Sequence, residues 1–146
     1  MPTEQKELSW NERMIAELRE NGGKSAVPHF ANSDLLILTA TGAKTGKPHS
    51  YPLGYTRDGE KYVVVGSNSG GPKDPAWLIN LRANPIVTIE AYGETFQARA
   101  AVTEGAERRR LLDAHQAAIP IFKKYEAMTE GVRELQVVTL ERLAEG

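Results

Sequence analysis

Cysteine is absent from the 146-residue chain, which excludes disulfide cross-links, thiolate catalysis and cysteine-ligated metals. Histidine is scarce: only His29, His49 and His115 occur. None stands at the HExxH or other close spacing that a metal site uses, so no metal is expected. A basic excess is also missing. The 18 Lys and Arg against 19 Asp and Glu leave a formal net charge of −1, which argues against a general nucleic-acid binder. No apolar run approaches the roughly 20 residues that span a bilayer. The opening MPTEQKELSW carries acidic residues and no apolar centre, unlike a signal peptide. The expected class is therefore a soluble, cytoplasmic protein, with peripheral contact to a membrane left open. A glycine-rich G-x-G-x-x-G turn opening a βαβ unit is lacking too, which sets a Rossmann fold aside.

What is present reads as one domain over residues 1–146, long enough for a sizeable core. A first helix over about 9–21 is predicted by Ser9 with Glu12 three residues on, a capping-box pattern, and by Trp10, Met14 and Leu18 along one stripe. Asn21-Gly22-Gly23 stops it, and residues 24–34 are polar and irregular. LLILTAT (35–41) is a buried strand, 48–57 a second strand, and KYVVVGS (61–67) a third, with Asp58-Gly59 as a hairpin turn between the last two. NSGGPKDP (68–75) leads into the short helix AWLINLRAN, with Asp74 expected as its N-cap and Pro75 at its first position. IVTIEAY (86–92) and TFQARAAVT (95–103) form a hairpin across Gly93-Glu94. Residues 105–127 are helical with a break near Pro120, and LQVVTLERL (135–143) is the last strand. Connections this short exclude parallel neighbours. The predicted fold is α+β: a mainly antiparallel sheet closing into a small barrel, with flanking helices.

Two glycine-rich loops stand out. Gly42-Ala43-Lys44-Thr45-Gly46-Lys47 offers backbone N–H groups, two ammonium groups and a hydroxyl. Ser67-Asn68-Ser69-Gly70-Gly71 offers more N–H groups and hydroxyls just before a helix N-terminus, where a negative charge is favoured. Together they point to a phosphate site. The first loop is not a Walker A motif, because its spacing and antiparallel setting differ. Tyr51, Tyr55 and Trp77 lie near these loops in sequence. Pro52 interrupts a strand, which marks an edge or a ligand-facing position. A phosphate cradle beside a flat apolar wall suits a ring cofactor with a phosphate tail, flavin-like in kind. Trp77 is equally read as a core anchor. Asn80, one turn after it, can bond a ligand or the loop backbone.

The run from LLILTATGAKTGKPHSYPLGY through GGPKDPAWLINLRANP resembles the deazaflavin (coenzyme F420)-dependent nitroreductase and F420H(2)-dependent quinone reductase family. The similarity covers residues 35–90 and extends more weakly to 143. It implies an FMN-binding split-barrel-like fold and coenzyme F420, an 8-hydroxy-5-deazaflavin whose tail carries phosphate and carboxylates. It further implies that Lys44 and Thr45 hold the tail phosphate, with His49 assisting and Lys47 meeting the carboxylates. Pro52 would face the ring, Asn68, Ser69, Gly70 and Gly71 would line its loop, and Trp77 and Asn80 would support it. Ser69 stands where the family often has lysine and His49 where it often has arginine; nitro-prodrug-activating members carry several tyrosines in the C-terminal segment, of which Phe122 replaces one and Tyr125 keeps another.

The expected activity is hydride transfer from the reduced deazaflavin to a small-molecule acceptor: a quinone, an enone or a nitroaromatic. Tyr125 or Ser67 would donate a hydrogen bond or proton to the acceptor oxygen. Trp10, Met14, Tyr55, Phe122 and Met128 are the expected walls of the acceptor pocket. Two alternatives use the same barrel: a carrier that binds the cofactor or a fatty acyl chain without efficient turnover, and an enzyme using FMN. Pairing into a homodimer is left open.

Overall fold

The computed structural model describes residues 10–20, 35–91 and 93–144, and of Trp10, Asn11 and Ser69 the backbone alone. Ser9, His29, the Asn21-Gly22-Gly23 stop and the 24–34 segment lie outside the described residues. The elements follow the order α1 (Trp10–Glu20), β1 (Leu35–Thr41), β2 (Pro48–Gly54), β3 (Thr56–Asp58), β4 (Lys61–Gly66), a 3-10 turn (Asn68–Gly70), α2 (Ala76–Ala83), β5 (Ile86–Ala91), β6 (Glu94–Val102), α3 (Gly105–Ala118), α4 (Ile121–Thr129) and β7 (Gln136–Arg142).

All seven strands join one sheet in the order β2-β1-β5-β6-β7-β4-β3, and every pairing is antiparallel. The end strands of that order are β2 and β3, yet Tyr55 alone separates them in sequence. Two residue steps cover at most about 7 Å. The sheet must therefore curl until its two edges meet, which makes it a split barrel. The expected single strand over 48–57 is thus two strands on opposite edges, turned at Tyr55. The Tyr55 ring is buried in the barrel core and tilts against Tyr62 at 5.1 Å. Its expected place in a substrate pocket is corrected accordingly.

Strand alternation explains why β1, β4 and β7 read as nearly continuous apolar runs. Leu36, Leu38 and Ala40 point into the barrel with Tyr62, Val64, Val138 and Leu140. Their neighbours point outward and are covered by helices. Leu35 and Ile37 meet Met14, Ile15 and Leu18 of α1, while Val63, Val65 and Val137 meet Leu111, Leu112 and Phe122 of α3 and α4. Both faces are dry, so the period-2 polar signal disappears. Arg19 also ties α1 to β5 through a two-pronged bond to Glu90 at 2.9 and 2.8 Å. Met14 and Phe122, expected as pocket walls, are core residues at 2% and 5% exposure.

The helix over 105–127 breaks where expected. Ile119 closes α3 with its N–H on the His115 carbonyl, and Pro120 precedes α4. No described helix is long and apolar enough to cross a membrane.

Candidate binding site at the first glycine loop

The loop between β1 and β2 is a compact hairpin. Gly42 N–H donates to the Lys47 carbonyl at 2.8 Å, Gly46 N–H to the Gly42 carbonyl at 2.9 Å, and Lys47 N–H to Thr45 Oγ1 at 3.2 Å. Ala43 N–H donates to Asn80 Oδ1 on α2 at 3.0 Å. The expectation of a loop rich in free amides is corrected: within the loop, four of the six N–H groups are spent inside the protein, which leaves those of Lys44 and Thr45. Folding uses the other amides to fix the loop's shape. The face the loop presents to the neighbouring cavity is made chiefly of side chains.

Those side chains converge. Lys44, Thr45, His49 and Tyr51 line a cavity of about 320 Å³ with Gly42, Ala43 and with Ala76, Ile79 and Asn80 of α2. Thr45 Oγ1 and His49 Nε2 are 3.3 Å apart. Gly42 has no room for a side chain, because a Cβ there would lie 2.5 Å from Thr45 Oγ1 and 3.0 Å from the His49 ring. Among the described residues, no carboxylate lies within 4.0 Å of the Lys44 or Lys47 ammonium. The Lys44 ammonium, a hydroxyl and an imidazole beside an apolar wall are a donor set that suits a phosphate-bearing ligand, while Lys47 does not line this cavity. Such a group therefore fits the residues present.

Asn80 is the hinge of this arrangement. Its Oδ1 holds the loop and its Nδ2 donates to Tyr51 Oη at 3.2 Å. Burial raises the pKa of Tyr51 above its ordinary value of 10.0, and the Asn80 bond opposes that only in part. Pro52 sits beside it on β2, which pairs with β1 alone and so presents an open edge, as a strand proline requires.

The second glycine loop is organised differently, and by a residue the sequence does not advertise. The Arg133 guanidinium donates to four acceptors: Gly66 O at 3.0 Å, Ser67 O at 2.9 Å, Gly71 O at 3.1 Å and Asp74 Oδ1 at 3.0 Å. Asp74 is therefore not the N-cap of α2. Pro75 takes that position without a side-chain cap, while Asp74 faces Arg133 and, at 3.7 Å, Arg82. Asn68 adopts the left-handed conformation at φ 46° and donates to the Lys73 carbonyl at 3.1 Å. Gly70, at φ 83°, leaves the space that Met128 fills, since a Cβ there would lie 2.7 Å from the Met128 sulfur. Met128 is itself half-exposed.

The two loops thus flank α2, the first along its Ile79–Asn80 side and the second at its entry. The first-loop cavity takes in Lys44, Thr45, His49 and Asn80 but not Asn68, Gly70 or Gly71. Trp77 is 4% exposed and belongs to the barrel core, which favours the anchor over the ring wall. Ser67 is nearly buried, its carbonyl on Arg133. Tyr125 packs edge-on to Phe122 at 5.4 Å. Tyr51, noted in the sequence only for lying near the loops, lines the first-loop cavity, whereas Arg133 belongs to no motif and its contacts with the second loop appear only in the fold.

The chain belongs to the F420H(2)-dependent quinone reductase family, whose model matches residues 10–142. An F420H(2)-dependent quinone reductase of Mycobacterium tuberculosis, Rv1261c, is 46% identical over 61 residues, 42% of this chain and 41% of that protein. The matched stretch thus spans about two-fifths of such a relative. A solved F420-H2 dependent reductase, FDR-A, superposes with a TM-score of 0.67 at 32% identity, over 73% of this chain and 93% of that one. A second structure, described as a domain-swapped dimer, gives a TM-score of 0.69 at 29% identity, over 97% of this chain and 100% of that one.

Proposed function

We propose that this protein is an oxidoreductase that binds coenzyme F420 and reduces a quinone-type acceptor. The observation that carries the reading is the convergence of Lys44, Thr45, His49 and Tyr51 on one cavity, with both loop lysines unpaired among the described residues. Family membership and the likeness to the F420-H2 dependent reductase support it.

When bound, the reduced deazaflavin supplies a hydride from its central ring, so no side chain need act as a nucleophile. The protein's part is binding and orientation. Lys44 and Thr45 hold the tail phosphate by charge-assisted hydrogen bonds, His49 adds a further ring-nitrogen contact, and Lys47 meets the tail carboxylates. Pro52, on the open edge of β2, offers a rigid wall to the ring. The loop of Asn68, Ser69, Gly70 and Gly71, held in shape by Arg133, would line the ring, and Asn80 and Trp77 would support α2 between the loops. Tyr125 or Ser67 would donate a hydrogen bond to the acceptor oxygen. Trp10 and the half-exposed Met128 remain the apolar contacts proposed for the acceptor. A quinone is the acceptor class proposed first; enones and nitroaromatics are tested beside it.

The test joins binding to turnover. Lys44→Ala is expected to weaken coenzyme F420 binding by about 1.5–3 kcal/mol, the range for a hydrogen bond to a charged group. Wild-type protein is expected to oxidise the reduced cofactor in the presence of a soluble quinone. Unchanged affinity in the variant would remove the first loop from the site. Binding without turnover on any acceptor would leave a cofactor carrier. A homodimer, suggested by the likeness to the domain-swapped dimer, is checked by light scattering, where the mass of a single chain would reject it.

A further inference from the structure

The hydrogen-bond directions around Asn80 settle one proton that no motif points to. Ala43 contributes a backbone N–H, which can only donate, so the Asn80 atom 3.0 Å from it must be the carbonyl oxygen. The other end of the amide is then the NH₂ group, and it points at Tyr51 Oη from 3.2 Å. Tyr51 must accept that bond. A phenol carries one proton, and accepting leaves that proton to be donated elsewhere. The structure gives Tyr51 Oη no acceptor among the described residues, and the Tyr51 side chain lines the cavity shared with Lys44, Thr45 and His49.

We propose that Tyr51 is a ligand-binding residue whose O–H donates to an anionic oxygen of the ligand's tail phosphate in this cavity. The inference rests on the reading of the first loop as the cofactor's phosphate cradle, and adds to it a neutral donor set by Asn80. The order of effects is one-directional: the loop amide orients Asn80, Asn80 orients the phenol, and the phenol meets the phosphate. A phenol is protonated at neutral pH in any case, and partial burial raises the Tyr51 pKa further, so the donor is present when the ligand binds. The same linkage ties the loop to the site. A loop that let go of Asn80 would free the amide to turn over and present its oxygen to Tyr51, which would take the proton away from the cavity.

The experiment compares wild type and Tyr51→Phe by titration with oxidised coenzyme F420 and with the phosphate-free deazariboflavin fragment of the same ring. The expected result is a loss of about ten- to a hundredfold in affinity for coenzyme F420, with affinity for the fragment unchanged. An equal loss for both ligands would mean that Tyr51 only supports the loop and would overturn the proposal. So would an unchanged affinity for coenzyme F420. Failure of wild type to bind coenzyme F420 would overturn the cradle reading as well, which separates the two failures. Should Tyr51→Phe not fold, wild-type protein labelled with ¹³C at tyrosine Cζ gives the answer. One resonance of the five tyrosines is expected to move with coenzyme F420 and stay still with the fragment; no such resonance would overturn the proposal.

Discussion

Replacing Arg133 by methionine removes the guanidinium that ties β4 and the second glycine loop together through their carbonyls. The Arg133 side chain is only 12% exposed, and its guanidinium serves three carbonyls and the Asp74 carboxylate. Hydrogen bonds to a charged group contribute about 1.5–3 kcal/mol each, but four made by one group do not add. Breaking a largely buried ion pair by deleting one partner costs about 3–5 kcal/mol. Arg82 stands 3.7 Å from Asp74 and softens that loss, so about 3–4 kcal/mol is expected. For a domain of this size, roughly 2–4 °C is lost per kcal/mol, so the melting temperature should fall by about 6–16 °C. Amide hydrogen exchange at residues 67–71 should rise more than in the barrel strands, because the lost bonds converge on that loop. Arg133→Lys, with one compact ammonium in place of a planar fork, should recover only part of the loss. A fall below about 1 kcal/mol, with loop exchange unchanged, would refute the reasoning.

Gly42→Ala places a methyl group 2.5 Å from Thr45 Oγ1 and against His49. Overpacking of this kind costs about 1–3 kcal/mol, and calorimetry should find affinity for the cofactor falling at least tenfold because the hydroxyl and imidazole are pushed aside. His115 is fully buried, its Nδ1 2.9 Å from Thr56 Oγ1, and burial lowers its pKa from 6.5 to about 4. Its neutral form is the folded one, so it has no effect above pH 6.5. As pH falls from 6.5 toward 4 the unfolded chain takes up the proton first, and stability drops by about 1.4 kcal/mol per pH unit, roughly 3 kcal/mol in all. Urea unfolding across that window should show the slope in wild type and lose it in His115→Asn; an identical slope in both would reject the assignment.

Local chemistry made much of the fold readable. Asp58-Gly59 and Gly93-Glu94 mark hairpins because the turns need glycine at positive φ, 61° and 79° here. Pro120 marks the break between α3 and α4, and Pro52 an edge strand, because each lacks an N–H to give. The corner at Tyr55 was not readable. PHSYPLGYTRD keeps its β character straight through it, and only closure of the barrel decides that two strands lie there. Asp74 has the right type and place for an N-cap, yet a guanidinium 59 residues away outcompetes the helix amides for it. Arg133 looks like any surface arginine in TEGVRELQ; its worth is set by carbonyls more than 60 residues distant. Around the first loop, the family resemblance grouped Lys44, Thr45, His49 and Asn80, which line one cavity, but the sequence reading overcounted the free amides, because the glycines that permit a nest also permit the loop to satisfy itself.

The most direct measurement is a titration of the intact protein with coenzyme F420 and, separately, with FMN, followed by tryptophan fluorescence. Tight binding of coenzyme F420 with weak binding of FMN is predicted, the tail phosphate and carboxylates meeting Lys44 and Lys47. Preference for FMN, or binding of neither, would contradict the assignment of the first-loop cavity to the deazaflavin tail.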